Sequence, residues 1–274
     1  MRCACLASLT VVLLAGVAAE AAPLTAAWQG RQATAFRSGA TPLPGVTARL
    51  ELLDPRTGQP ADPQVFTVQA ALQPWQGALR LVGVVSARGE ADQIADLVLR
   101  VEGVSLATGN GDTDLLLASK FVNKLPLAPL RTLANGQDQM CLALPADNPC
   151  LYRFRDLPAE KAVELRLPLG FTRDARPELR QRAPFSLLLL GTTDRWHFRS
   201  ALAEYYRLFP AQFARREKRE GGWFFANEIR NLPNPQHFAF FEGLGDPQEC
   251  HDKGLGMYPY SETSSETIHL PGPG

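Results

Sequence analysis

The chain has 274 residues, 45% hydrophobic and 20% charged, with 28 basic residues balanced by 28 acidic ones. That composition supplies core for one large or two ordinary domains. The zero formal charge excludes an electrostatic binder of nucleic acid or anionic membrane. Even the arginine-rich stretch from Arg153 to Arg182 is interrupted by Glu160, Glu164, Asp174 and Glu178, and reads as a solvated mixed-charge face.

The N-terminus has the pattern of an export signal. Met1 and Arg2 precede an apolar run from Leu6 to Ala19, and small residues with A-x-A spacing place cleavage after Ala19, Ala21 or Ala22. Residues 1–22 are therefore expected to be a signal peptide, with a secreted or periplasmic product and no membrane association after cleavage. Cys3 and Cys5 would leave with it, so Cys141, Cys150 and Cys250 remain. Cys141 and Cys150 bracket a turn containing Pro145, Asp147, Asn148 and Pro149, and a disulfide between them is expected in an oxidising compartment.

Residues 23–45 hold scattered Pro, Gly, Ser and Thr and read as a loosely packed entry segment. From Val46 the pattern turns to period two, with Ala48, Leu50 and Leu52 alternating with Thr47, Arg49 and Glu51. Further strands are expected at 65–71, 78–86, 96–102, 114–119, 139–144, 150–155, 161–169 and 184–190. Short strands with turn residues between them predict a mainly β fold, a large antiparallel β-sandwich over 23–191. Trp28 and Trp75 read as core-edge residues. Asn110–Asp114 resembles the start of a calcium loop but lacks the downstream Glu, so it reads as a turn between strands.

Around Asp194 the period changes. Asp194 can cap a helix on which Phe198, Leu202, Tyr205, Tyr206 and Phe209 recur at helical spacing, and Pro210 ends or kinks it. Residues 192–222 are expected to form a helical connector, broken at Gly221-Gly222. Beyond it, FAFFE (238–242) and LGMYPYSE (255–262) read as short buried strands that end in carboxylates. This pattern suits the opening of a (β/α) barrel, where functional groups sit at the carboxyl ends of strands.

The run WHFRSALAEYYRLFPAQFARR followed by GGW, placed after a sandwich, resembles the entry to large secreted bacterial glycoside hydrolases. In these a galactose-mutarotase-like supersandwich precedes a (β/α) barrel, as in the endo-α-N-acetylgalactosaminidase type. The resemblance implies that the sandwich supports the barrel and that residues 223–274 are its truncated beginning. The catalytic carboxylates would then come from later strands, and the chain would be non-catalytic. It also implies an oligo- or polysaccharide as partner.

Glycoside hydrolysis needs two carboxyl groups, about 5–5.5 Å apart for retention and about 6.5–9.5 Å for inversion. The residues here that fit substrate contact are Glu242 and Glu262 at strand ends, with Tyr260, Tyr258, Phe241 or Trp223 as stacking surfaces. His237, His251 and His269, even with Cys250, Asp246 and Asp252, lack paired zinc-ligand spacing, so no metal is expected, and no motif calls for a cofactor. The competing expectation is a self-contained secreted β-sandwich that binds carbohydrate or a protein, with the C-terminal aromatics buried against it.

Overall fold

Period-two alternation lets a strand bury one face while wetting the other, and most of this chain follows that rule. The computed structural model describes residues 21–89, 91–106, 128–136, 138–193, 198–214, 219–225, 229–243 and 246–258. In chain order the first strands are β1 (Leu24–Gln29), β2 (Gln32–Ser38), β3 (Thr41–Pro42), β4 (Thr47–Leu53), β5 (Phe66–Trp75), β6 (Ala78–Ala87) and β7 (Gln93–Glu102). They continue as β8 (Ser105–Leu106), β9 (Leu130–Asn135), β10 (Asp138–Ala143), β11 (Arg153–Leu157), β12 (Ala162–Phe171) and β13 (Arg182–Thr192).

These strands form two antiparallel sheets in a β-sandwich-like arrangement. One has the order β1-β2-β4-β7-β12-β11, with β3 paired to β2, and the other β5-β6-β13-β10-β9-β8. Leu50, Leu97, Leu99 and Leu165 of the first sheet join Leu81, Leu133, Leu142 and Leu187 of the second in one buried core. Each such leucine contributes about 1.5–3 kcal/mol by leaving water.

The unbroken run LLLL at 187–190 has a cause. Leu187 and Leu189 face the inter-sheet core, while Leu188 and Leu190 face a second apolar layer with Leu130, Cys141 and Ala143. Helix α1 (Phe198–Leu208) covers that layer with Ala201, Tyr205 and Leu208, followed by Phe209. The short helix α2 (Pro210–Phe213) follows at Pro210. The expected helix is thus present, but it is a packed third layer. Trp75 lies at its edge, its ring 5.2 Å from Phe209 and 5.0 Å below the Arg80 guanidinium. Trp28 is likewise half-buried against the inter-sheet core. The Asp194 cap lies outside the described residues.

The outer face of the first sheet carries the charge. Arg49, Arg100, Glu164 and Arg155 lie in one cross-strand row. Glu164 is nearly buried and accepts from Arg100 at 3.1 Å and Arg166 at 2.7 Å. The hydrogen bond from Arg100 holds the Glu160 carboxyl below the usual carboxylate range. Opposite charges on neighbouring strands stabilise register, so this part of the arginine-rich stretch is a cross-strand lattice.

Residues 23–45 differ from the expectation. They form β1, β2 and β3, with Leu24, Ala33 and Phe36 buried. The alternation was masked because Ala35 takes a left-handed φ of 52° between Ala33 and Phe36, which breaks the two-residue period. The paired strands β8 and β9 were also missed, and the expected strand at 114–119 lies outside the described residues. The expected Cys141–Cys150 disulfide is not formed, since both are free cysteines. Cys141 is fully buried beneath α1, whereas Cys150 lies exposed beyond the turn. Burial pushes the Cys141 thiol well above its ordinary value. A thiol reagent applied at pH 8 to the native protein is therefore expected to modify Cys150 first and Cys141 only after denaturation. Peptide mass mapping of the labelled sites checks this; equal labelling of the two would show that the α1 layer opens readily.

The chain divides into two compact units, Met1–Phe213 and Ala214–Gly274. The second holds β14 (Gly222–Phe225), β15 (Phe238–Glu242), helix α3 (Pro247–Asp252) and β16 (Gly256–Tyr258). Among the described residues no helix is long and apolar enough to cross a membrane.

Candidate functional site

The strands of the second unit are parallel, in the order β14-β15-β16. Parallel neighbours need a crossover. Between β14 and β15 it contains two short 3-10 turns, Ile229–Asn231 and Pro235–His237. Between β15 and β16 it contains α3, whose first turn is capped by Asp246 accepting from the Gln248 amide at 2.8 Å. Pro247 at the first helical position loses no intrahelical bond there.

Alternation divides this sheet into two faces. Phe224, Phe241 and Met257 pack with Ile229, Leu232, Cys250 and Leu255 under the crossovers. Trp223, Phe225, Phe240, Glu242 and Tyr258 fall on the opposite face by the same alternation. Trp223, Phe225 and Tyr258 are each at least half exposed. The Trp223 ring stands edge-on to Tyr258 with centroids 5.2 Å apart, and 6.2 Å from Phe240. Gly256 makes this closeness possible, because a Cβ there would lie 2.6 Å from Phe240 Cδ1.

All three strands end together. Phe225 pairs with Glu242, and Glu242 with Tyr258, so one row at the carboxyl edge carries an aromatic ring, a carboxylate and a second aromatic ring. Glu242 is half-buried, and its carboxylate forms no hydrogen bond or ion pair among the described residues. A carboxylate flanked by rings, its oxygens uncommitted, can accept from ligand hydroxyls while the rings cover an apolar ligand face.

Of the residues singled out in the sequence, Glu242, Tyr258 and Trp223 share this face. Phe241 does not: it is buried on the opposite face and cannot stack on a ligand. Its immediate neighbour Phe240 takes that place, because a one-residue step along a strand reverses the side. Tyr260 and Glu262 lie outside the described residues. Phe225 was missed, although its two-residue spacing from Trp223 was the available signal. His237 and His251 are exposed, and among the described residues no three His, Cys, Asp or Glu side chains gather to hold a metal ion.

No protein-family model matches the chain, and neither a curated protein nor a solved structure does.

Proposed function

We propose that this is an exported, sandwich-supported carbohydrate-binding protein whose saccharide lies across the carboxyl edge of the parallel sheet. The observation that carries the reading is the row Phe225–Glu242–Tyr258, with Trp223 beside Tyr258. Apolar ring faces set around a carboxylate suit a sugar, which offers C–H faces and hydroxyl edges. Ligands of open parallel sheets bind beyond the carboxyl ends of the strands.

The succession β15, α3, β16 with crossovers on one face is also the order that opens a (β/α) barrel. The chain is thereby proposed to be a glycoside-hydrolase-like protein in its non-catalytic part, with the antiparallel sheets as scaffold. Bond cleavage is not assigned to this edge. Hydrolysis takes two carboxyl groups, and Glu242 is the one carboxylate in the row.

Affinity electrophoresis of the protein in gels containing neutral polysaccharides tests the reading. At least one polysaccharide is expected to retard the wild type. Trp223→Ala is expected to weaken that retardation roughly tenfold, the order of one lost stacking platform. Glu242→Gln, which keeps one acceptor oxygen, is expected to weaken it less. Retardation that persists unchanged in Trp223→Ala, Phe225→Ala and Tyr258→Ala would overturn the placement of the site, and failure of every polysaccharide to retard the wild type would overturn the function.

A further inference from the structure

A second candidate site lies on the first unit. Gly89 and Ala91, between β6 and β7, and the loop 172–181 between β12 and β13 line a groove of about 580 Å³. That volume is within the range of small-molecule clefts, roughly 300–1,000 Å³. Its described lining brings three guanidinium groups, Arg173, Arg180 and Arg182, against one carboxylate, Glu178, with Thr172 and Gln181 as neutral hydrogen-bonding neighbours. Pro177 adds an exposed apolar surface, while Phe171 beneath it belongs to the inter-sheet core.

The two loops are tied to each other. Gln181 donates through Nε2 to the Gly89 carbonyl at 2.9 Å, and its own carbonyl accepts from the Ala87 amide at 2.9 Å. The Arg173 amide donates to Asp92 Oδ1 at 3.1 Å. The 172–181 loop is braced internally, because the Arg176 carbonyl accepts from the amides of Leu179 and Arg180. Arg180 Nε donates to the Ala175 carbonyl at 3.1 Å, which anchors the guanidinium while its terminal nitrogens bond nothing else among the described residues. Arg182 forms no side-chain hydrogen bond or ion pair among the described residues, and neither does Glu178.

The contrast with the first sheet's outer face is informative. There Arg100 and Arg166 are matched by Glu164 at 3.1 and 2.7 Å, and Arg155 lies 4.0 Å from it. Around the groove Arg180 and Arg182 have no carboxylate partner among the described residues. Like charges held together by braced loops repel unless an anion lies between them, and guanidinium forks match the geometry of oxyanions. We propose that this groove binds a small ligand through an oxyanion group, a carboxylate, sulfate or phosphate, with the rest of the ligand resting on Pro177.

The test is a set of titrations of the full chain followed by amide NMR or calorimetry. The probes are a uronic acid, the matching neutral sugar, inorganic sulfate and inorganic phosphate, each at low and high salt. At least one oxyanion probe is expected to bind, more weakly as salt rises, while the neutral sugar does not bind in the groove. The probe that binds identifies the oxyanion. Replacing Arg180 and Arg182 together with alanine is expected to lower affinity about tenfold or more, through loss of charge-assisted hydrogen bonds. Glu178→Gln is expected to tighten binding by removing the opposing charge. Both residues are exposed, so the double variant is expected to melt close to the wild type. Binding unchanged in the double variant would overturn the proposal, as would a wild type that responds to none of the three oxyanion probes. Trp223→Ala is expected to leave the sulfate and phosphate titrations unaltered, which separates this groove from the carbohydrate edge.

Discussion

Tyr205→Ala is expected to destabilise the first unit by about 4 kcal/mol, the order measured for deletion of a large buried aromatic side chain. Tyr205 is 1% exposed, at the centre of the layer between α1 and the second sheet. Its ring lies 5.0 Å from Phe209 and 5.6 Å from Phe213 between centroids, so its loss removes packing from both α1 and α2. Its hydroxyl donates to the Leu144 carbonyl at 2.7 Å. Tyr205→Phe keeps the ring and loses only that bond, leaving a buried acceptor unpaired at a cost of about 1–2 kcal/mol. Urea unfolding followed by far-ultraviolet circular dichroism measures both. Near-equal losses in the two variants would mean that the hydroxyl, and not the ring, holds the helix.

The same residue carries a pH dependence of known sign. Burial pushes the Tyr205 phenol above its ordinary range. The folded state therefore favours the protonated form more than the unfolded state does. The contribution is fully present below the unfolded value near pH 10 and is lost as pH rises through the higher folded value. Alkaline destabilisation above about pH 10 should accordingly be smaller in Tyr205→Phe than in the wild type.

Gly103→Ala is expected to cost roughly 3 kcal/mol, from left-handed backbone strain added to steric overlap. Gly103 follows β7 at φ +74°, and a Cβ there would lie 2.2 Å from the Gly45 carbonyl oxygen and 2.7 Å from its carbon. Those atoms are backbone and cannot swing away as a side-chain tip can. The corner is further fixed by Asn135 Nδ2, which donates to the Gly103 carbonyl at 2.8 Å and the Pro44 carbonyl at 3.1 Å. Gly58→Ala is the control. Its φ is +70° but nothing lies within 4 Å of the added carbon, so only the conformational part is expected, about 1 kcal/mol. Thermal melts of the two variants separate overlap from strain; equal shifts would show that the Gly45 segment yields.

The two candidate sites differ in what holds them. At the parallel edge, Glu242 is positioned by strand register, so its setting depends on β14, β15 and β16 pairing as they do. In the groove, Arg180 and Arg182 are positioned by cross-braced loops, where an inserted residue would change the spacing without unpairing a strand.

The sequence by itself determined the mainly β character, most of the described strands between Thr47 and Thr192 to within a few residues but not β8 and β9, the helix after the sandwich and the aromatic strand at 238–242. Periodicity is local: a strand with one wet face announces itself in six or seven residues, as Ala48, Leu50 and Leu52 do. Only the tertiary structure decided the rest. The left-handed Ala35 hid β2 from a two-residue pattern, and Leu187–Leu190 could be read as buried but not as lying between two different layers. Whether Cys141 could reach Cys150 depended on which side of β10 the thiol faced, and the helix that covers it begins more than fifty residues later. The site divided in the same way. Aromatic rings and a carboxylate at 238–242 were visible one strand at a time, but their pairing with Phe225 and Tyr258 was not. Register between strands is set by non-local hydrogen bonds and by the close approach that Gly256 allows, and no residue's neighbours in sequence encode it.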